Sequence, residues 1–358
     1  ELVPLQRNDE AVTTQFTMTE LEELGMLKMD FLGLRTLTVI RYCCEYIKQS
    51  GGTPPDFDNC NYDDKCVYDL ISSGDTVGVF QLESGGMTHF MMQMKPTSLE
   101  DIIAGISLYR PGPMDQIPRY IECKQNPGAV KYETELLRPI LNATYGCMVY
   151  QEQVMLLSRQ LASFTRGESD ALRKAMGKKK KAIVDAMKPK FIKQGQENGH
   201  DPKVLEKIWG DWEKFASYAF NKSHATCYSW VAYQTAYLKA HYPAEYMAAL
   251  MTRRFAQITE ITKLMEECQS MGIKTLGPDV NESYRVFGVN EHGEIRFGLS
   301  AIKGMGAPAA DAIVAERLKN GPYKSIFDFA ERVDYSSVNR KAFETLALSG
   351  GFDSFGIR

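Results

Sequence analysis

Cys227-Tyr-Ser-Trp230-Val-Ala-Tyr-Gln234-Thr-Ala-Tyr237-Leu238-Lys-Ala-His241-Tyr-Pro243 is the stretch on which the fold turns. Trp230, Gln234, Tyr237, Leu238 and His241 recur at three- and four-residue spacing, which predicts a long helix, with Pro243 breaking or restarting it before Arg254. Most of its aromatic residues are expected in a core. Similar spacing recurs through most of the chain, as in Leu37, Ile40, Cys44 and Ile47, ended by Ser50-Gly51-Gly52. Pro/Gly/Asp-rich segments at 51–58, 110–118 and 276–283 separate the helices. Two stretches depart from this pattern. Residues 24–32 alternate and predict a strand with Lys28 and Asp30 on one face; residues 284–299 alternate around Asn290-Glu-His-Gly293 and predict a hairpin. The expected fold is therefore mainly α, with a short β segment at the start and a small β-hairpin near the end, and a domain boundary at 255–280.

At 358 residues and 44% hydrophobic content, the chain can build two or three cores. No run approaches the roughly 20 apolar residues that cross a bilayer, so no membrane partner is expected. The opening Glu1-Leu-Val-Pro4 lacks the features of a signal peptide, and cytoplasmic localisation is the expectation. Eight cysteines without a CxxC pair predict reduced thiols rather than zinc or disulfide frameworks. The net charge of −3 does not mark a nucleic-acid binder, so any such surface must be local. One segment qualifies: from Arg173 to Lys193, nine cations oppose Asp185 alone, giving +8 in 21 residues. Thr165-Arg-Gly-Glu168 is a capping box before it, and one helix is expected to carry Arg173, Lys174 and Lys178 together. Such an array suits a triphosphate, and a solvated charged face is the competing reading.

Other candidates carry similar alternatives. Asp30 is a metal-ligating acid or a solvated strand-edge acid. Arg110, in the rigid Tyr109-Arg-Pro-Gly-Pro113 turn, suits a phosphate or a structural salt bridge. Lys222 and His224 sit at an expected helix start, where free N–H groups favour anions, although a histidine among aromatics is often structural. Tyr228 could stack on a base or belong to the core. Lys303, Gly304 and Gly306 form a Gly-x-Gly hairpin before a helix bearing Ala309, Ile313 and Val314, suited to a DNA phosphate; a plain tight turn is the alternative. Pro55-Asp56-Phe57-Asp58 is read as a turn.

The string Gly25-Met-Leu-Lys28-Met-Asp30-Phe-Leu-Gly33-Leu-Arg35-Thr-Leu37 resembles the last palm strand of the C-family of bacterial replicative DNA polymerases, the alpha-subunit type. Further strings follow in that family's order: Val79-Phe-Gln-Leu-Glu-Ser84, Tyr109–Pro113, Thr144-Tyr-Gly146, Tyr150-Gln-Glu-Gln-Val-Met155, Leu172–Lys179 and Phe220–Ala225. The resemblance implies a palm remnant (1–35), a helical fingers domain (36–255) and a tandem helix-hairpin-helix domain (256–358), the last with a degenerate second hairpin in Ser325–Phe355. It implies DNA-directed DNA polymerase activity with two Mg2+ ions, primer-template DNA and deoxynucleoside triphosphates. Asp30 would be one of three catalytic carboxylates, with Lys28 beside it. Arg110, Arg173, Lys174, Lys178, Lys222, His224 and Tyr228 would bind nucleotide; Lys179, Lys180, Lys303, Gly304 and Gly306 would bind DNA. The other two catalytic aspartates are expected upstream of the 29 residues that precede Asp30, so the chain is expected to be an inactive piece of a longer protein. Binding regions for the sliding clamp and other replisome subunits are expected outside it. Where the family often carries Arg or Pro, this chain has Gly85, so no arginine contact carries over there. A non-enzymatic helix-hairpin-helix DNA-binding protein, and an error-prone translesion form of the same subunit, remain as rivals.

Overall fold

The protein is described from a computed structural model covering residues 3–27, 29, 33–177, 180–215 and 220–356. It forms two compact units, residues 1–35 and 36–358. In the first unit β1 (Leu5–Asn8) and β2 (Ala11–Thr14) form an antiparallel hairpin, with Leu5 opposite Thr14. The helix α1 (Met18–Glu23) follows, and the Glu20 carboxylate accepts the Thr17 N–H at 2.6 Å. The strand predicted over residues 24–32 is absent from the described residues of that stretch. Leu24 closes α1, Gly25 takes φ +78°, and Met26, Leu27 and Met29 have no regular structure. Alternation signals a strand only where another strand completes its hydrogen bonds, and β1 and β2 pair with each other. Lys28 and Asp30 lie outside the described residues.

The second unit is helical, as the spacing predicts. It runs through α2 (Arg35–Gln49), α3 (Lys65–Ser73), α4 (Gly85–Met94), α5 (Leu99–Leu108), α6 (Ile117–Gln125) and α7 (Arg138–Leu141). The helices α8 (Gln151–Ala162), α9 (Arg166–Gly177), α10 (Lys181–Glu197), α11 (Pro202–Phe215), α12 (Lys222–His241), α13 (Pro243–Arg254) and α14 (Ile258–Ser270) follow. Local chemistry sets the ends. Asp64, Ser98 and Asn221 cap α3, α5 and α12, and Gly74 closes α3 in the left-handed conformation. Pro243 opens α13 at a position where its missing N–H costs nothing. The 56–58 segment is the predicted turn, with Asp56 accepting from the Asp58 N–H and the Asn59 side chain.

Three apolar clusters organise these helices. The first surrounds α5, buried on every side from Asp101 to Leu108, and brings in α3, α4 and the middle of α12. The second joins α2, α13 and α14 to Phe287 and Ile295. The third, built on Trp209, Trp212 and Phe191, holds α8 to α11 together. The partly buried Lys124 and the buried Lys239 tie segments far apart in sequence. Lys124 meets Asp101 at 2.9 Å, and Lys239 donates to the carbonyls of Asp75 (2.8 Å) and Val77 (2.9 Å) and to Glu267 (2.6 Å).

The predicted hairpin is present as β4 (Gly288–Val289) and β5 (Ile295–Arg296), turning on Asn290 and Gly293. A further short strand, β3 (Thr275–Leu276), pairs parallel with β5. A fourth cluster packs α15 (Ala307–Asn320), α16 (Ile326–Arg332) and α17 (Arg340–Leu348) around Phe329. The buried Arg317 holds this region to the carbonyls of Val280 and Ser283, each at 2.8 Å.

Candidate nucleotide and nucleic-acid interface

The basic segment is not one helix. Arg173 and Lys174 lie on α9, the Lys180 N–H meets the Ala175 carbonyl at 2.8 Å, and Lys181 begins α10. Gly177, the poorest helix former of the stretch after proline, ends the first helix. Lys178 and Lys179 lie outside the described residues. The capping box is present: Glu168 accepts the Thr165 N–H at 2.9 Å, and the Glu168 N–H donates to Thr165 Oγ1 at 3.2 Å. Lys190 of α10 also pairs with Glu168. The Lys190 contact and then the Thr165 N–H hold the Glu168 carboxyl down at about 2. Arg173 and Lys174 share one acid, Asp170, at 2.8 Å each, which draws its carboxyl below the ordinary range.

Arg173 also reaches toward Gln151 Oε1, at 3.5 Å, in the first turn of α8. That turn is paired by backbone with the start of α12: the Gln151 N–H donates to the Phe220 carbonyl at 2.9 Å, and the Phe220 N–H to Val149 at 3.4 Å. Gln153 fixes the approach, its side-chain oxygen accepting the N–H groups of Val149 and Tyr150 and its amide donating to Thr144. Two helix N-termini thus lie side by side, and their positive dipole ends add.

Around this junction sit four more of the candidate residues. Lys222 places its ammonium 2.9 Å from Glu100 and 5.2 Å from the Tyr150 ring centre, while its N–H lies 3.0 Å from Glu152. His224, exposed in the first turn of α12, packs its ring 4.3 Å from Tyr228 and 5.5 Å from Phe220. Tyr228 in turn packs 5.4 Å from Phe80. The Arg110 guanidinium lies over the other end of this ladder, 4.5 Å from the Phe220 ring centre. Among the described residues Arg110 makes no ion pair, so its salt-bridge reading finds no support there. Gly112, at φ +105°, makes the turn that presents it.

Sequence reasoning overlooked the anionic side of this arrangement. Glu152 and Glu100 anchor Lys222 from 70 residues or more away, a distance over which spacing carries no signal. The Lys222–Glu100 and Lys174–Asp170 pairs are partly exposed, and such pairs contribute about 0–1 kcal/mol, so an incoming polyanion can displace them.

A second candidate surface lies on α15. Gly304 takes φ +94° and Gly306 caps the helix, with Lys303 exposed between the buried Leu299 and Met305. The element before this hairpin is a single 3-10 turn, Leu299–Ala301. A Cβ on Gly304 would lie 3.5 Å from the Lys341 side chain, so α17 brings a further cation alongside. Between α16 and α17 the Asn339 side chain caps α17.

Magnesium needs an all-oxygen ligand set. Among the described residues the one close trio of potential ligands is Asp64, Cys66 and His241, whose thiol and imidazole do not fit that ion. Also among them, no helix is long and apolar enough to cross a membrane.

Residues 36–199 match the bacterial DNA polymerase III alpha subunit finger domain, and residues 272–358 match a helix-hairpin-helix motif. The whole chain is 45% identical to part of the DNA polymerase III subunit alpha of Thermus aquaticus, covering 30% of that protein. Its counterpart in Aquifex aeolicus is 45% identical over 99% of this chain and 31% of the relative. For that of Chlamydia trachomatis serovar D the figures are 45%, 98% and 28%. The chain thus spans less than a third of the length of these relatives.

Proposed function

Because this chain belongs to the family of bacterial DNA polymerase III alpha subunits, we propose that it forms the part of such a polymerase that seats the incoming deoxynucleoside triphosphate and grips primer-template DNA. In this reading residues 36–255 are the fingers and 256–358 the helix-hairpin-helix domain, with 1–35 the end of the palm. The observation that carries it is the backbone pairing of Gln151 with Phe220, which sets the α8 and α12 N-termini together beneath Arg110, Lys222 and His224.

Phosphoryl transfer asks the protein for positioning and for neutralisation of triphosphate charge. Lys222, Arg173 and Lys174 supply cations whose present partners are surface carboxylates, and exchanging these for phosphate oxygens releases Glu100 and Asp170 to water. Arg110 adds a guanidinium, His224 a ring nitrogen, and Tyr228 a face on which a base can stack. Lys178 keeps the triphosphate assignment, and Lys179 and Lys180 the DNA assignment, that the resemblance gives them. Lys303 and the N–H groups at Gly304 and Gly306 meet the duplex backbone, a contact that reads no bases. Asp30 and Lys28 keep the catalytic assignment that the resemblance gives them.

The test is primer-template binding by fluorescence anisotropy across a salt series, with and without the next correct nucleotide. The nucleotide should tighten binding in the wild type and fail to do so in Arg173→Ala/Lys174→Ala. Lys303→Ala should flatten the salt dependence by about one charge without altering the nucleotide effect. Binding blind to nucleotide, and lost only on changing Gly304 or Gly306, would instead make the chain a DNA clamp.

A further inference from the structure

Among residues that neither candidate surface uses, Asp64, Cys66 and His241 bring a carboxylate oxygen, a thiol and an imidazole nitrogen within 4.8 Å of one another. We infer that they form a binding site for a soft divalent metal ion of the zinc class, clamping the first turn of α3 to the last turn of α12.

The carboxylate is already aimed. Asp64 Oδ1 accepts the Cys66 N–H at 2.8 Å as the cap of α3, and the Asp64 N–H donates to Tyr233 on α12 at 3.2 Å. Its second oxygen is thereby turned to His241 Nε2, at 2.9 Å. The imidazole is held from the side by Tyr237, with ring centres 4.4 Å apart. Zinc bonds of about 2.0–2.3 Å to N, O and S place neighbouring donors about 3.5 Å apart in a tetrahedron. The His241–Asp64 pair needs to open by about half an ångström to admit such an ion, and the Cys66 sulfur, at the end of an exposed rotatable side chain, to swing in by about an ångström. Water can take the fourth position, because both His241 and Asp64 remain about a third exposed.

Charge and ligand softness point the same way. Asp64 carboxylate and Cys66 thiolate together neutralise a divalent ion, with His241 neutral; on binding, the Cys66 thiol loses its proton to solvent. The nearest lysine in sequence, Lys65, is engaged with Asp69. A thiolate and an imidazole favour zinc or cobalt over magnesium or calcium. The site is thus chemically separate from the carboxylate chemistry implied at Asp30.

Cobalt(II) is the probe, added to the whole chain under reducing conditions and followed by absorption. One equivalent should give thiolate charge-transfer and tetrahedral ligand-field bands, which zinc abolishes and a large excess of magnesium leaves intact. Cys66→Ser should remove the charge-transfer band, and Cys227→Ser, at another exposed thiol, should leave it unchanged. Asp64→Asn, which keeps the capping oxygen, and His241→Gln should each weaken cobalt binding by more than about tenfold, with circular dichroism unaltered. Absence of a saturable cobalt spectrum, or a charge-transfer band surviving Cys66→Ser, would overturn the assignment.

Discussion

Lys239→Met tests how firmly the long helix α12 is locked to its surroundings. The ammonium is fully buried and donates to two carbonyls and to Glu267 of α14. Methionine matches the length of the side chain but donates to none of them. Removing one partner of a buried ion pair costs about 3–5 kcal/mol, and the lower end applies because Glu267 keeps 16% exposure and can turn toward water. Each orphaned carbonyl adds about 1 kcal/mol, and the extra apolar burial of methionine returns about 1 kcal/mol. The expected loss is about 4 kcal/mol, read from urea unfolding by tryptophan fluorescence and by circular dichroism. Lys239→Met/Glu267→Leu should lose less than Lys239→Met alone, since it leaves no unpaired carboxylate. A loss below about 1 kcal/mol for Lys239→Met, or a double variant worse than the single one, would refute the view that this buried pair is a lock.

Two further outcomes follow from buried groups. The Asp101 carboxyl is opposed by burial, but the Thr97 N–H, Lys124 and Tyr145 outweigh that and hold its pKa below the ordinary value. With the folded value depressed, its contribution is present above pH about 4 and is lost as pH falls through the folded pKa. Asp101→Asn should therefore cost about 2–4 kcal/mol at pH 7 and show a smaller difference from wild type in acid, measured by urea unfolding at several pH values. Gly298→Ala should be among the most damaging small changes, because its new Cβ would lie 2.4 Å from the backbone carbon of Val286. A loss of more than about 2 kcal/mol is expected in the same assay.

Helices were legible in the sequence because burial imposes a period that survives in one dimension, and the string around Asn221 marked the start of α12. The alternation at 24–32 misled over its described residues because alternation describes one chain, whereas a strand is a property of two. Gly177 was a visible stop signal inside the basic segment, outweighed by the run of lysines around it. The candidate site was half legible: its cations and aromatics stand in recognisable strings, but Glu100, Glu152 and Asp170, which hold them in place, do not. Asp64, Cys66 and His241 were further out of reach. Nothing local links residue 64 to residue 241, and only the packing of α3 against α12 makes them neighbours.

That same helix has a mechanical consequence. Its 20 residues make a rod about 30 Å long, with the nucleotide candidates at one end and the Lys239 lock and His241 at the other. A tilt of 5° made at the first turn to close around a ligand becomes a displacement of about 2.6 Å at the last. Since Lys239 is fastened to Glu267 of α14, a swing of the shaft there would have to carry α14 with it or break that contact.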